Sequence, residues 1–254
     1  MCNENTALTK MGKEHDKFRN WIERSDSYVD IKFKWFNHSN MPTNDQMSDC
    51  LGEGTYGNVY KAVIDNTEVA IKILKPNTWQ GVPEFEQEIA TLGKIRHPNV
   101  VTLIGACREE HALVYKYLPN GNLQKLLKSE ETNKEALSWS ERTKIAASIC
   151  STLAFLHNTK PNPIVHADLK PENILFDSDN VCKLGDFGIS RFLKDTTETG
   201  TVMHETKLFK GSSGYRDPEY EKTRILTCKS DVYAFGIVML LCSSWLPGMT
   251  VLKG

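Results

Sequence analysis

The sequence predicts an α+β protein of two lobes, in which an antiparallel five-stranded sheet with one helix precedes a mainly helical second lobe. Short β-branched runs separated by turn residues fill the chain between Leu51 and Tyr117. After the turn Pro119–Gly121, apolar residues recur at helical spacing instead. The predicted divisions are a polar, partly ordered extension (1–48), a first lobe (49–118) and a second lobe (119–254).

Composition excludes several classes of protein. The 254 residues are 40% hydrophobic and 25% charged, which is ordinary for a soluble globular protein. A net charge of −1 gives no general attraction to nucleic acid, so we expect no nucleic-acid partner. The seven cysteines are scattered and form no C-x-x-C pair, which favours reduced thiols and a cytoplasmic location over disulfides or a zinc site.

The sequence predicts neither a signal peptide nor a membrane span. The first residues, MCNENTALTKMGKEHD, lack the apolar core of a signal peptide. The apolar run Val232–Leu241 is about half as long as the ~20 residues that a spanning helix needs. We therefore expect this run to form a buried helix.

A glycine-rich turn opens the first lobe at Gly52, Gly54 and Gly57. Glycine spacing alone is weak evidence, because the same pattern also opens dinucleotide-binding units, where it leads into a helix. Here it leads into the strand-like runs Val59–Val63 and Val69–Leu74. The turn is therefore expected to join two antiparallel strands and to fold over phosphate groups.

A lysine and a glutamate follow this turn. Lys72 lies in the strand segment VAIK, where a single lysine would ordinarily face solvent. The segment Pro83–Ile95 predicts an amphipathic helix with proline in its first turn. Glu88 lies beside the apolar face of this helix, from which it could reach back to Lys72. The apolar face comprises Phe85, Ile89, Leu92 and Ile95.

In the second lobe, Ser138 and Glu141 have the spacing of a capping box and predict the start of a long helix. Its predicted buried residues are Ile145, Ile149, Leu153 and Leu156.

The stretch Ile164–Gly188 carries most of the candidate chemistry, with Asp168, Lys170, Asn173 and Asp186 within nineteen positions. Two short apolar runs joined by the turn-forming DSDN predict a hairpin that brings Asn173 and Asp186 together. Two oxygen ligands beside a carboxylate and an amine favour the handling of a magnesium-bound polyphosphate. For any one of these residues alone, an ordinary acidic loop is the alternative.

In this order the motifs resemble the signature of protein kinases, over roughly Leu51–Leu241. The resemblance implies a two-lobed protein kinase fold, incomplete at the C-terminus, with ATP between the lobes. It implies that the glycines cover the phosphates, that Tyr115 is the gatekeeper and that the backbone of 116–118 bonds the adenine. The residues implied to contact ATP are Leu51, Gly52, Gly54, Gly57, Val59, Ala70, Lys72, Tyr115, Tyr117 and Leu118.

The same resemblance implies the catalytic roles. Lys72 is implied to hold the α- and β-phosphates and to pair with Glu88. Asp168 is implied to accept the proton of the substrate hydroxyl, while Lys170 neutralises the transferring phosphoryl group. Its position in DLKPEN is typical of serine/threonine kinases. The residues implied to hold Mg²⁺ are Asn173 and Asp186.

A finer resemblance is to plant receptor-like cytoplasmic kinases, in particular the kinase domain of U-box ubiquitin ligases. The segments that carry it are EVAIKIL, GVPEFEQEI, IRHPNVVTLIGAC, LVYKYLPNGNL, HADLKPENIL and KSDVYAFGIV. It implies protein substrates and partners from the ubiquitin pathway or among receptor kinases. Such ligases carry a U-box after the kinase, and none is visible here, so ubiquitin transfer by this chain is not expected.

Two features depart from the kinase pattern. Ala167 stands where most kinases have an arginine that pairs with a phosphate on the activation loop. Switching by loop phosphorylation is therefore less expected, and the threonine-rich segment that follows is interpreted as a flexible polar loop. Its candidate phosphorylation sites are Thr196, Thr197, Thr199 and Thr201.

The second departure is that the chain ends soon after Leu241, so later helices of the family, and the arginine expected to pair with Glu219, are absent. We expect this to leave an apolar helix face in water. An alternative function is then a truncated kinase fold that binds ATP or a partner, or a fragment of a U-box ligase. The residues expected on that face are Val232, Phe235, Ile237, Leu240 and Leu241.

Overall fold

The computed structural model describes residues 33–43, 47–53, 57–75, 81–130, 137–196, 201–205 and 211–244. The first of the two lobes is built on a six-stranded sheet with the strand order β1-β5-β6-β4-β3-β2. Its strands are β1 (Lys34–Phe36), β2 (Ser48–Glu53), β3 (Gly57–Ile64), β4 (Thr67–Leu74), β5 (Leu103–Cys107) and β6 (Ala112–Lys116).

Five of these strands form the antiparallel sheet that the sequence predicts, and β1 is an addition. It comes from the segment predicted as a polar extension and pairs parallel to β5. Trp35 of β1 packs edge-on against Phe33, with ring centroids 5.3 Å apart, and lies under the guanidinium of Arg108 at 4.8 Å. A three-residue strand is too short for a period-two pattern, so the sequence contained no signal for it.

One helix, α1 (Gly81–Leu92), packs against this sheet. The predicted apolar face is buried at Phe85, Ile89 and Leu92, and so is Ile95 just beyond the helix. Pro83 lies in the first turn, where its missing N–H costs no hydrogen bond. The helix that carries Glu88 is therefore docked on the sheet through this apolar face.

The second lobe contains four helices and several short strand pairs in the described residues. The helices are α2 (Leu123–Glu130), α3 (Trp139–His157), α4 (Pro218–Thr223) and α5 (Cys228–Ser244). The strands are β7 (Ile164–Val165), β8 (Ile174–Phe176), β9 (Cys182–Leu184), β10 (Arg191–Phe192), β11 (Lys194–Thr196), β12 (Thr201–Glu205) and β13 (Ile225–Leu226).

The predicted capping box of α3 is confirmed. Ser138 Oγ accepts the N–H of Glu141 at 3.3 Å, and Glu141 Oε2 accepts the N–H of Ser138 at 2.7 Å. The predicted inner residues of α3 are buried in a core that continues across both lobes. Arg142 of α3 donates to the carbonyl of Cys242, which joins this helix to α5.

The helix α5 is buried along one face only. Ala234, Val238 and Cys242 lie in the core, whereas Val232 and Leu240 remain 57% and 64% exposed. Phe235, Ile237 and Leu241 are half-buried. Of the five apolar residues expected to be exposed, only Val232 and Leu240 are exposed in the described helix. Within the described ranges, no helix has the length and hydrophobicity needed to cross a bilayer.

The threonine-rich segment differs from the flexible loop that the sequence indicated. Its described ends, β11 and β12, pair antiparallel through Lys194↔Met203 and Thr196↔Thr201, and β12 continues to β13. Threonine is β-branched and suits a strand, which explains the difference. Thr197 and Thr199 lie outside the described residues.

We predict that Gly105→Ala displaces β1 from the sheet. A methyl group at Gly105 would overlap the carbonyl oxygen of Lys34 and the ring of Phe36. The free energy of unfolding in urea should fall by roughly 1–3 kcal/mol, and the amides of 34–36 should exchange faster. Gly236→Ala is the control, because its added methyl would meet open space. Equal stability and exchange in Gly105→Ala and the parent would contradict this packing.

Candidate active site

The loop between β7 and β8 is held by one buried carboxylate from α5. Asp231 Oδ2 accepts the N–H of His166 and Oδ1 accepts that of Ala167, each at 2.9 Å. His157 Nε2 lies 2.8 Å from Oδ2, so this nitrogen carries the proton. These bonds sustain a left-handed conformation at Ala167, where φ is 69°. Asp231 therefore determines the position of the residue that follows, Asp168.

His166 connects the same loop to the segment before Asp186. Its Nε2 lies 2.9 Å from the carbonyl oxygen of Gly185, and its Nδ1 accepts the N–H of Asp168 at 3.2 Å. Because Nδ1 accepts, the proton lies on Nε2, which donates to Gly185. The imidazole thus connects the two segments that carry the predicted catalytic and metal-binding residues.

Asp168 is buried among polar partners. Its Oδ2 lies 2.8 Å from Lys170 Nζ and 3.2 Å from Asn173 Nδ2. Its Oδ1 accepts the N–H of Ser212 at 2.8 Å, and Lys170 Nζ also donates to Ser212 Oγ at 2.8 Å. Burial lowers the pKa of Lys170, but attraction to Asp168 outweighs it and raises that pKa. Lys170 is therefore positively charged at neutral pH.

Ser212 is one site residue that sequence reasoning missed. It lies 44 positions from Asp168 in the glycine- and serine-rich run GSSGYRDPEY. Hydroxyls are common in such loops, and nothing in the local spacing distinguishes Ser212 from Ser213. Only the fold brings its amide to the carboxylate of Asp168.

Lys72 bridges the two lobes. Its Nζ lies 2.9 Å from Glu88 Oε2 and 2.7 Å from Asp186 Oδ1. Burial lowers the pKa of Lys72, but the two carboxylates outweigh this and raise it. Burial likewise raises the pKa of Asp186, and Lys72 reverses the shift and lowers it. The predicted reach of Glu88 to Lys72 is thus present, and the shifts in pKa keep Lys72 and Asp186 charged near neutral pH.

The predicted hairpin places Asn173 and Asp186 at one end of the β8–β9 pair. Ile174 pairs with Leu184, and the N–H of Gly185 donates to the carbonyl of Asn173 at 2.9 Å. The Asn173 amide group donates to Asp168 O and Oδ2, which turns its oxygen away from that residue. No three His, Cys, Asp or Glu side chains cluster as a metal site in the described ranges. Two oxygen ligands alone suit Mg²⁺, which keeps water and phosphate as its other ligands.

The sheet register places the predicted nucleotide residues on one face. Val59 pairs with Lys72, and Ala70 pairs with Tyr115, so their side chains lie on the face from which Lys72 reaches Asp186. Tyr115 is half-buried, and desolvation followed by the nearby charge of Glu88 raises the pKa of its hydroxyl. These residues line the wall of the first lobe that faces Asp186.

The remaining predicted nucleotide residues that the structure describes lie around this wall. Leu51 and Gly52 are in β2, where Gly52 pairs with Val59. Gly57 has a packing role of its own, because a methyl group there would overlap the Ile73 carbonyl. Gly54 lies outside the described residues. Tyr117 and Leu118 follow β6, with Leu118 packed against the shared core. Their contacts with ATP stay a prediction.

The sequence model of the family described as protein tyrosine and serine/threonine kinase matches residues 46–244. The chain belongs to this kinase family. The fold expected from the kinase motifs is therefore confirmed, with β1 as an addition to the sheet.

Curated relatives of this kinase are plant proteins. U-box domain-containing protein 70 of Oryza sativa subsp. japonica is 49% identical over 190 residues, which are 75% of this chain and 24% of that protein. U-box domain-containing protein 33 of Arabidopsis thaliana is 41% identical over 242 residues, which are 94% of this chain and 28% of that protein. U-box domain-containing protein 51 of Arabidopsis thaliana is 43% identical over 218 residues, 83% and 27% respectively.

The chain thus spans about a quarter of the length of the curated relatives it matches. The resemblance to plant U-box proteins that the sequence motifs predicted is confirmed by these relatives.

We predict that Asp231→Asn destabilises this kinase. The two oxygens of Asp231 now accept the N–H groups of His166 and Ala167. An asparagine side chain has one such oxygen, so its NH₂ group would face the other N–H donor. An unmatched buried donor costs roughly 1–3 kcal/mol, which urea unfolding would detect. The control is Asp179→Asn in the exposed turn between β8 and β9. Identical unfolding curves for Asp231→Asn and the parent would rule out this anchoring role.

Proposed function

We propose that this chain is a serine/threonine protein kinase that transfers the γ-phosphoryl group of ATP to a protein hydroxyl. The observation that carries the proposal is Lys72, whose ammonium group lies 2.9 Å from Glu88 and 2.7 Å from Asp186. Phosphoryl transfer needs this lysine–glutamate pair and the metal-binding aspartate in place together, because catalysis consists of positioning and charge neutralisation.

The residues fit a bound MgATP. Val59 and Ala70 lie on the sheet face beside Lys72, where an adenine ring can pack against them. Lys72 would bind the phosphate oxygens, and Asn173 and Asp186 would hold the metal. When bound, Mg²⁺ neutralises charge on the phosphates and fixes their orientation.

Asp168 and Lys170 act on the acceptor. Asp168 Oδ2 is shared between Lys170 and Asn173, so its carboxylate is fixed in orientation and can accept a hydrogen bond from an incoming hydroxyl. Lys170 remains protonated and supplies positive charge where the transferred group passes. Its second contact, to Ser212, joins this pair to the segment before α4. The run DLKPEN around Lys170 supports serine and threonine as acceptors.

The cysteines of this kinase and the names of its relatives support narrower proposals on its location and partners. The cysteines that the structure describes are all free thiols, which supports a reducing, cytoplasmic setting. The names of the plant relatives favour protein substrates or partners in the ubiquitin pathway. Receptor kinases are the alternative partners that the sequence motifs imply.

We predict that Asp168→Asn lowers phosphate transfer by roughly 10²–10⁴-fold, the usual contribution of a positioned acid–base group. The measurement is Mg²⁺-dependent incorporation of labelled phosphate from ATP into the protein itself and into a generic basic protein. Asp179→Asn, in an exposed turn, should match the parent. Equal incorporation by Asp168→Asn and the parent would refute the proposed role. Phosphotyrosine as the main product would refute the serine/threonine assignment.

We predict separately that MgATP stabilises the folded protein. At a hundredfold excess over Kd, binding to the native state adds about 2.7 kcal/mol to the free energy of unfolding. The shift should persist in Asp168→Asn and shrink in Lys72→Met, which removes the phosphate-binding cation. A shift without any phosphate transfer by the parent would favour the alternative function, an ATP- or partner-binding module. No shift in the parent would contradict nucleotide binding.

A further inference from the structure

The helix α1 carries a buried polar stripe beside its apolar face. Glu84, Glu88 and Thr91 recur at spacings of four and three, and each is at most 3% exposed. Buried polar groups on a helix need partners outside it. The partner of Glu88 is Lys72, and Thr91 contacts Gln87 and Ser190.

Thr91 bonds a hydroxyl in the segment just after Phe187. Thr91 Oγ1 lies 2.9 Å from Ser190 Oγ, and both side chains are fully buried. Ser190 Oγ donates its one proton to the carbonyl of Phe187 at 2.7 Å. The Thr91 hydroxyl must therefore donate to Ser190, and it accepts from Gln87 Nε2 at 3.0 Å. The result is a directed chain of three hydrogen bonds.

This chain of hydrogen bonds ends on the backbone of Phe187, which Glu88 also binds. The N–H of Phe187 donates to Glu88 Oε1 at 3.2 Å, while its carbonyl accepts from Ser190. The preceding residue, Asp186, bonds Lys72. The Thr91–Ser190 contact and the Lys72–Glu88 pair are thus linked through one residue.

Further contacts extend the same seam between α1 and residues 187–192. Lys94 Nζ lies 4.6 Å from the ring centre of Phe192. Glu84 lies close to Gly188, since a methyl group added at Gly188 would be 3.3 Å from the Cβ of Glu84. The charge of Glu84 also opposes the effect of burial, which lowers the pKa of Arg191. Thr91 and Ser190 lie at the centre of this seam.

We propose that the Thr91–Ser190 hydroxyl pair is a latch that holds α1 on residues 187–192 and keeps Glu88 at Lys72 without a loop phosphate. Ala167 offers no cation to a phosphate, and the Thr91–Ser190 contact involves two neutral hydroxyls that need none. Thr91 and Ser190 are positioning residues, and their effect on catalysis rests on the proposed kinase function.

The test compares Ser190→Ala and Thr91→Val with Thr91→Ser, which keeps the hydroxyl. Thr143→Val is the matched control, an exposed helical threonine that bonds only its own turn at Trp139. Amide hydrogen exchange of 81–92 and of Phe187 measures the latch directly. Loss of one net hydrogen bond predicts roughly fivefold to tenfold faster exchange and an equal fall in kcat, with KM for the protein substrate unchanged.

Three further results are expected. Thr91→Ser should lie within about twofold of the parent, and the double variant should resemble either single variant, because both remove the same link. Phosphatase-treated parent should keep its rate. If Thr91→Val gives no cooperative melt, Thr91→Ala replaces it.

The outcomes separate the latch from the kinase proposal. Parent-like exchange in Ser190→Ala and Thr91→Val overturns the latch whatever the activity. Faster exchange with an unchanged kcat, additive effects in the double variant, or a rate that phosphatase abolishes would also overturn it. If the parent transfers no phosphate while Ser190→Ala and Thr91→Val exchange faster than the parent, the latch stands and the proposed function is refuted instead.

Discussion

A half-buried lysine held between two carboxylates imposes the strongest constraint on this fold. Lys72 belongs to the sheet, Glu88 to α1 and Asp186 to the segment after the β8–β9 hairpin. The ammonium nitrogen of Lys72 nevertheless lies 2.9 Å from Glu88 and 2.7 Å from Asp186. A buried charge without its partner is costly, so the sheet, the helix and the hairpin must all dock for any one of them to be stable. The same docking brings the predicted phosphate- and metal-binding groups together.

Asp231 plays the corresponding part in the second lobe. Its two oxygens hold consecutive backbone N–H groups of the loop that carries Asp168, and they sustain an unfavourable φ at Ala167. Because α5 joins α3 through Arg142 and packs into the shared core, the carboxylate rests on a rigid base. Hydrogen bonds from one buried carboxylate of α5 thus fix the backbone that positions Asp168.

Local patterns in the sequence predicted much of the site. The capping box at Ser138, the apolar face of α1 and the β8–β9 hairpin depend on neighbours a few residues apart, and each is confirmed. The strand β1 escaped prediction because three residues cannot display a period. Ser212 and the Thr91–Ser190 pair escaped because their partners lie 44 and 99 positions away. Hydroxyl side chains have no periodic signal that would indicate such partners.

The sequence by itself determined the kinase family, the set of charged residues and their order along the chain, because motifs require only residue types at fixed spacing. The tertiary structure alone decided which of those groups meet, and in which direction their protons point. Asp168 shares Lys170 with Ser212, His166 carries its proton on Nε2, and Thr91 donates to Ser190. Each depends on distances between separate elements, which packing of the common core establishes and local sequence does not encode.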